Sequence, residues 1–346
     1  MNYVFTNKPE FEEPIRVLFL CGTKYTKNDS DKRTILKKYL ERAPENKAII
    51  LEEYYNFKQN RNSPLLSYYE TELFSLFNIE MLAAAFSTNV IIIHESNSTA
   101  GEIAAFAGNP YIRDKLIVLA PERYSIEEEK ISNFLSLAFW NKKNKKIKKI
   151  KNDIIRFYPF IKKYNVSPNR STYYTYFKNN ELPSYLSRKL DTIIGHSFQK
   201  ENVKIDLGKK LEKNNEVVYL DFFSFKNYVF SLYTIKEFRD ELHNCKKIYE
   251  IKNLFVKRFK EILKNTYIFD LGSCKKIKII LNHQIDLNFE DAISMMIYIM
   301  NACDIFHISK CENSDNIKVQ KAKGSVERTQ AYAKLLKKQN LKEWGE

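Results

Sequence analysis

The stretch Asn89–Asn109, NVIIIHESNSTAGEIAAFAGN, constrains the fold more than any other part of the chain. Val90-Ile91-Ile92-Ile93 is β-branched and apolar, too short for a helix and suited to a strand buried on both faces. A polar turn follows, His94-Glu95-Ser96-Asn97-Ser98, and a helical pattern resumes at Thr99 with Ala100, Ile103, Ala104, Phe106 and Ala107 placed for packing. Buried strand, polar turn and helix start are the parts of an open α/β sheet, whose ligands sit outside the carboxyl ends of parallel strands. Backbone N–H groups at such a helix start face an anion such as phosphate. The expected site lies here, with Glu102 as its catalytic carboxylate. Thr99-Ala100-Gly101-Glu102 also spells a capping box, in which the two side chains only satisfy orphan N–H groups. Three features weigh toward chemistry: the buried-type strand directly before it, a second acid (Glu95) at the strand exit, and the room left by Ala100 and Gly101.

The rest of the first 140 residues repeats the alternation. Ile15–Leu20 reads as the first strand, ending at Cys21-Gly22-Thr23, where a glycine lets the backbone approach a ligand. From Asp31, the run DKRTILKKYLERA carries Ile35, Leu36, Tyr39 and Leu40 at helical spacing. Lys47–Leu51 is the second strand and leaves Glu52 and Glu53 at its exit. Apolar residues from Leu73 to Phe86 predict one long or two short helices, Leu116–Leu119 a fourth strand, and Ile126–Trp140 a closing helix. The alternation predicts a doubly wound parallel sheet with exits near Gly22, Glu52 and Glu95–Thr99 on one edge. Residues 1–14 read as a loosely attached lead-in.

Charge separates the two parts of the chain. Residues 1–140 hold 16 basic and 19 acidic side chains, and residues 141–346 hold 41 and 23, so the net charge goes from −3 to +18. The first part reads as an enzyme and the second as something that touches polyanions. The lysine-rich run Asn141–Lys151 marks the expected boundary. The expected domains are 1–140 (catalytic), a basic linker at 141–152, a basic, mostly helical regulatory region at 153–325, and a polar tail at 326–346. In the regulatory region, Tyr173, Tyr174, Tyr176 and Phe177 suit either a core or stacking on single-stranded bases. Ile251, Leu254, Phe255, Phe259, Ile262 and Leu263 mark an amphipathic helix whose opposite face carries Lys252, Lys257, Arg258, Lys260 and Lys264. A strand at Ile277–Leu281, a helix at Phe289–Met300 and a hairpin bearing Lys310, Lys318, Lys321 and Lys323 give the layout of a winged helix.

The five cysteines are widely spaced without a C-x-x-C. Cys303 and Cys311 flank His307, but that segment reads as a strand with its turn, so no metal site is expected. No apolar run reaches the length of a membrane span, and the amino terminus lacks a signal-peptide layout, so a reduced cytoplasmic setting is expected.

Several pieces occur in order: Leu18-Phe19-Leu20-Cys21-Gly22, Glu95-Ser96, Ser98-Thr99, Glu102, and Phe106-Ala107-Gly108-Asn109 leading to Arg113–Leu119. Together they resemble the nucleoside deoxyribosyltransferase-like effectors of retron defence systems. The resemblance implies a nucleoside deoxyribosyltransferase-like, Rossmann-like fold and an N-glycosidase whose carboxylate nucleophile is Glu102. Glu95 would hold ribose hydroxyls or assist a proton transfer, and Ser98 and Thr99 would bind phosphate or ribose. Cys21, Gly22, Thr23, Ser96 and Glu52 complete the expected substrate-binding set. The implied substrate is NAD or a related nucleotide, with no cofactor and no metal. The implied partners are a reverse transcriptase, its RNA–DNA product and further copies of this chain, with no membrane. Two other readings stay open: a phosphoribohydrolase, although such enzymes carry a Gly-Gly pair where this chain has Ser96-Asn97, and a non-enzymatic nucleotide sensor fused to a nucleic-acid binder.

Overall fold

Apolar side chains on both faces force the strand Asn89–Ile93 into the middle of a sheet, since every one of its residues is buried. The computed structural model describes residues 2–6, 13–56, 66–67, 73, 75–121, 140–143, 146–149, 154–157, 182, 184–199, 208–212, 215–267, 277–281, 289–311, 314 and 316–339. Five strands, β1 (Arg16–Cys21), β2 (Asn46–Ile49), β3 (Asn89–Ile93), β4 (Leu116–Pro121) and β5 (Ile154–Phe157), lie parallel in the order β2-β1-β3-β4-β5. The helices packed with them are α1 (Lys32–Leu40), α2 (Asn97–Gly108), α3 (Pro110–Arg113) and α4 (Ser184–Gln199).

Alternation along the strands sorts the core into two layers. On one face Leu18, Leu20, Ile91, Ile93, Ile117 and Leu119 meet Leu36 and Leu40 of α1 and Leu186, Leu190 and Ile194 of α4. On the other, Phe19 meets Phe106 of α2, ring centroids 6.4 Å apart. Thr99, Ile103, Phe106 and Ala107 form the buried stripe of α2, and Glu102 lies at its edge, half-buried. The doubly wound parallel sheet expected from the alternation is present.

The chain divides into two compact units that do not follow the expected domain boundaries. One comprises residues 16–53 and 87–201, the other residues 1–15, 54–86 and 202–346. The expected linker at 141–152 falls inside the first unit, because β5 beyond it pairs with β4. Within that stretch Trp140–Lys143 and Lys146–Lys149 pair antiparallel. The lysines masked the sheet's return: Ile154-Ile155 is a short apolar pair, and a parallel edge strand requires little more.

In the second unit, Asn2–Phe5 pairs antiparallel with Leu336–Gln339, so these residues are neither a loose lead-in nor a free tail. Phe5 packs on Tyr228 and Phe259 at 4.3 and 5.1 Å, and Tyr332 stacks on Phe230 at 5.1 Å. Lys226, 1% exposed on the helix Phe222–Leu232, is ion-paired with Glu13. The strand Ile277–Leu281 runs parallel to Asn215–Leu220 in a three-stranded sheet. The hairpin Phe306–Lys310/Ile317–Lys321 of the expected winged-helix layout forms a two-stranded sheet of its own. Of the expected helix Ile126–Trp140, residues 126–139 lie outside the described residues and Trp140 opens a strand; the aromatic run Tyr173–Phe177 also lies outside them.

Candidate active site

In the order 2-1-3-4-5 the chain steps from β1 outward to β2 and then returns to β1's other side with β3. The crevice between the carboxyl ends of β1 and β3 is the topological switch point, where doubly wound sheets hold their ligands. Cys21 is in register with Ile92, so the chain leaves both strands at one level. A cleft of about 280 Å³ opens there. Its lining runs from Gly22 through Thr23, Lys24, Thr26, Asn28, Ser30 and Asp31 to Lys32 and Arg33, and is closed by Ile93 and Glu95.

The foot of α1 organises the charges around this cleft. Asp31 caps the helix, accepting from the Arg33 N–H at 2.9 Å and from the Thr26 N–H and hydroxyl at 3.1 Å each. Such a cap contributes about 1 kcal/mol. Three bases of α1 then each hold an acid from a strand exit. Lys32 meets Glu95 after β3 at 2.5 Å, and Lys37 meets Glu53 after β2 at 2.5 Å. Arg33 donates to both oxygens of Glu52, at 2.9 and 3.1 Å, and to the Thr23 carbonyl at 2.5 Å. Its guanidinium is also 5.1 Å from the centre of the Tyr25 ring. Arg33 is only 3% exposed, and these partners are what make that burial tolerable. The close approach expected at Gly22 is made by Arg33, whose Cδ would lie 3.2 Å from a Cβ placed there. The Tyr25 hydroxyl donates to Glu53 at 2.7 Å. Burial above all, with the Glu53 carboxylate beside it, pushes the Tyr25 pKa up to about 12.

At the start of α2 the turn after β3 is short. Ser96 takes extended backbone angles (φ −146°, ψ 168°) and is the N-cap. Its hydroxyl accepts from the Thr99 N–H at 3.3 Å, and the Thr99 hydroxyl accepts from the Ser96 N–H at 3.1 Å. The capping box is therefore Ser96 with Thr99. The Thr99/Glu102 box considered from sequence does not form, because α2 begins at Asn97, two residues before Thr99, and Glu102 is beyond reach of the cap.

Of the expected site residues, Gly22, Thr23 and Glu95 line the cleft, and Glu52 is held by Arg33, which also lines it. Ser96, Ser98 and Thr99 form the helix start, with the Ser96 and Ser98 hydroxyls 2.8 Å apart and Thr99 buried. Cys21 is buried within β1. Glu102 is half-buried, its Oε2 shut off from solvent, and is not among the lining residues. Sequence reasoning missed Tyr25, Asp31, Lys32 and Arg33. The legible signal was Asp31-Lys32-Arg33 itself, an N-cap acid followed by two bases at the foot of the helix after the first strand. Among the described residues, no group of three or more His, Cys, Asp or Glu could hold a metal ion, and no helix is long and apolar enough to cross a membrane.

The family model described as STM3845 retron effector protein matches residues 29–308. The chain belongs to this family of retron effectors. Membership ties this retron effector to a retron, an antiviral defence system. The matched span includes α1, the exit of β3 and α2, and it continues in the second unit as far as the helix Phe289–Ala302 and the start of the hairpin after it. No curated protein matches the effector.

Proposed function

We propose that this retron effector is a nucleoside deoxyribosyltransferase-like N-glycosidase that destroys NAD or a related nucleotide, with Glu102 as nucleophile. The observation that supports the reading is the cleft at the switch point, where the Glu95 carboxylate and a lip of hydroxyl, amide and basic side chains meet at the end of the strand that feeds α2. Carboxylates in such places suit an oxocarbenium-like transition state. In the proposed reaction the Glu102 carboxylate forms a bond to the anomeric carbon as the carbon–nitrogen bond breaks. Nicotinamide leaves neutral, because it starts as a pyridinium cation. Water then attacks the same carbon, its proton passes to a carboxylate, and Glu102 is freed with ADP-ribose as product. Glu95, held by Lys32, is suited to binding the ribose hydroxyls or taking that proton.

An enzyme of this kind left unrestrained kills its own host. In the same proposal the retron's reverse transcriptase and its RNA–DNA product therefore hold it inactive. Incubating the purified full chain with NAD and, separately, with nucleoside monophosphates tests the catalytic half by the appearance of free base. Nicotinamide from NAD is the expected result. Free base from nucleoside monophosphates alone would favour the phosphoribohydrolase reading, and no base from either would favour a sensor. Co-expression with the reverse transcriptase and its nucleic acid tests the control half, with suppressed toxicity expected.

A further inference from the structure

The long helix Ile248–Tyr267 presents one lysine-bearing face, on which the Lys260 ammonium lies 5.5 Å from the centre of the Phe289 ring. Its apolar residues Ile251, Phe255, Phe259, Ile262 and Leu263 are buried, while Lys257, Lys260 and Lys264 are exposed along a single stripe at spacings of three and four. Among the described residues none of these three ammonium groups has a carboxylate partner. The nearest acids of the helix are already engaged: Glu261 with Arg258 at 3.3 Å, and Glu250 with the Lys246 N–H at 2.7 Å. At the amino-terminal end of the same stripe stands Tyr249, 52% exposed and, among the described residues, one of the few large apolar side chains left in solvent, its hydroxyl 3.5 Å from a Glu250 carboxylate oxygen. The strand pair packed on the buried side of this helix, through Phe5 on Phe259, carries two more exposed lysines, Lys337 and Lys338.

We infer that this face is a binding track for a single strand of nucleic acid. Lys257 to Lys264 span about 10 Å of helix axis, comparable to three phosphates of one strand. An exposed aromatic ring at the end of a basic track is how strands are gripped without sequence readout: phosphates meet the lysines and a base stacks on the ring. An acidic protein surface would satisfy the lysines and leave Tyr249 without a role. The inference places the polyanion contact on the helix rather than on the hairpin Phe306–Lys310/Ile317–Lys321. It rests on the control half of the proposed function and is independent of the glycosidase half.

The test is fluorescence anisotropy of the full-length protein with a labelled single-stranded DNA of about 20 nucleotides, the RNA of the same sequence, and the DNA duplex. No nucleotide substrate is present, so the outcome is separate from base release. Replacing Lys257, Lys260 and Lys264 together by Gln is expected to weaken single-strand binding at least tenfold, and to lower the slope of log affinity against log salt by about two units. Tyr249→Ala is expected to lose about tenfold on the single strands and nothing on the duplex. The triple Lys→Arg variant, which keeps the charge, is expected to bind as the wild type does, and so is Lys318→Gln combined with Lys321→Gln on the hairpin. Preference for RNA or DNA identifies which strand of the retron product is held. The inference is overturned if the Gln variant binds within twofold of wild type, or if the hairpin variant loses as much. It is equally overturned if the duplex binds better than either strand, or if polyglutamate competes as well as the strands do.

Discussion

The Lys32 ammonium lies 2.5 Å from a Glu95 carboxylate oxygen, tying the foot of α1 to the exit of β3 at the candidate cleft. Both side chains are largely shielded, 21% and 16% exposed, so solvent screens the pair only in part. A substrate with ribose hydroxyls and phosphate would find one partner in each member. Glu95→Gln and Lys32→Met are each expected to lower base release more than ~10-fold while costing about 1 kcal/mol of stability. Nicotinamide release and a denaturant melt on each variant check this, and full turnover in Glu95→Gln would remove Glu95 from the site.

Arg33 serves the architecture around the cleft. Its guanidinium satisfies Glu52 and the Thr23 carbonyl from a buried position, so Arg33→Ala leaves both without that partner. A loss of about 3 kcal/mol is expected, as for other broken buried pairs. Arg33→Lys is expected to recover only part, since an ammonium cannot reproduce the fork that grips Glu52 and Thr23 together. Urea unfolding of both variants measures the difference, and a cost below ~1 kcal/mol for Arg33→Ala would contradict the assignment.

Tyr25 gives a dependence on pH with a definite sign. Its folded pKa of about 12 lies above the ordinary value of 10.0, so the folded chain holds the phenolic proton more tightly than the unfolded chain does. The contribution is complete below about pH 10 and is lost as the pH rises through about 12. The stability advantage of wild type over Tyr25→Phe should be flat up to the lower value and shrink above it. Unfolding measured across that range checks this, and an advantage that grows with pH would contradict it.

The two units are interleaved in sequence, which bears on how the chain can be divided. A fragment of residues 141–346 lacks Asn2–Phe5, the Glu13 partner of Lys226, and Phe86, whose ring meets Phe222 and Phe225 at 5.3 and 5.7 Å. It also carries β5 and α4 without β1 to β4. The fragment is expected to show no cooperative thermal unfolding by circular dichroism. A sharp transition would contradict the interleaved division.

The sheet was legible because Ile15–Leu20, Val90–Ile93 and Leu116–Leu119 are unbroken apolar runs, and a strand buried on both faces requires that pattern. Asn2–Phe5 and Leu336–Gln339 were not legible, because their pairing spans nearly the whole chain and no local periodicity reports a partner so distant. Gly22, Thr23 and Glu95 could be placed at the cleft because strand exits are readable from the sequence alone. Lys32 and Arg33 were missed because the helical pattern after Asp31 accounts for both as ordinary surface bases. Only the sheet order brings the foot of α1 against the acids after β2 and β3.

Release of nicotinamide from NAD by the full-length wild type and by Glu102→Gln, measured side by side, tests the central claim most directly. The α2 cap rests on Ser96 and Thr99, so Glu102→Gln removes the nucleophilic charge without removing the cap. Wild type is expected to free the base. Glu102→Gln is expected to be slower by at least ~10²-fold, with its melting temperature within a few degrees of wild type. A Glu102→Gln protein that releases nicotinamide at the wild-type rate would contradict the account, as would a wild type that frees base from neither NAD nor any other nucleotide.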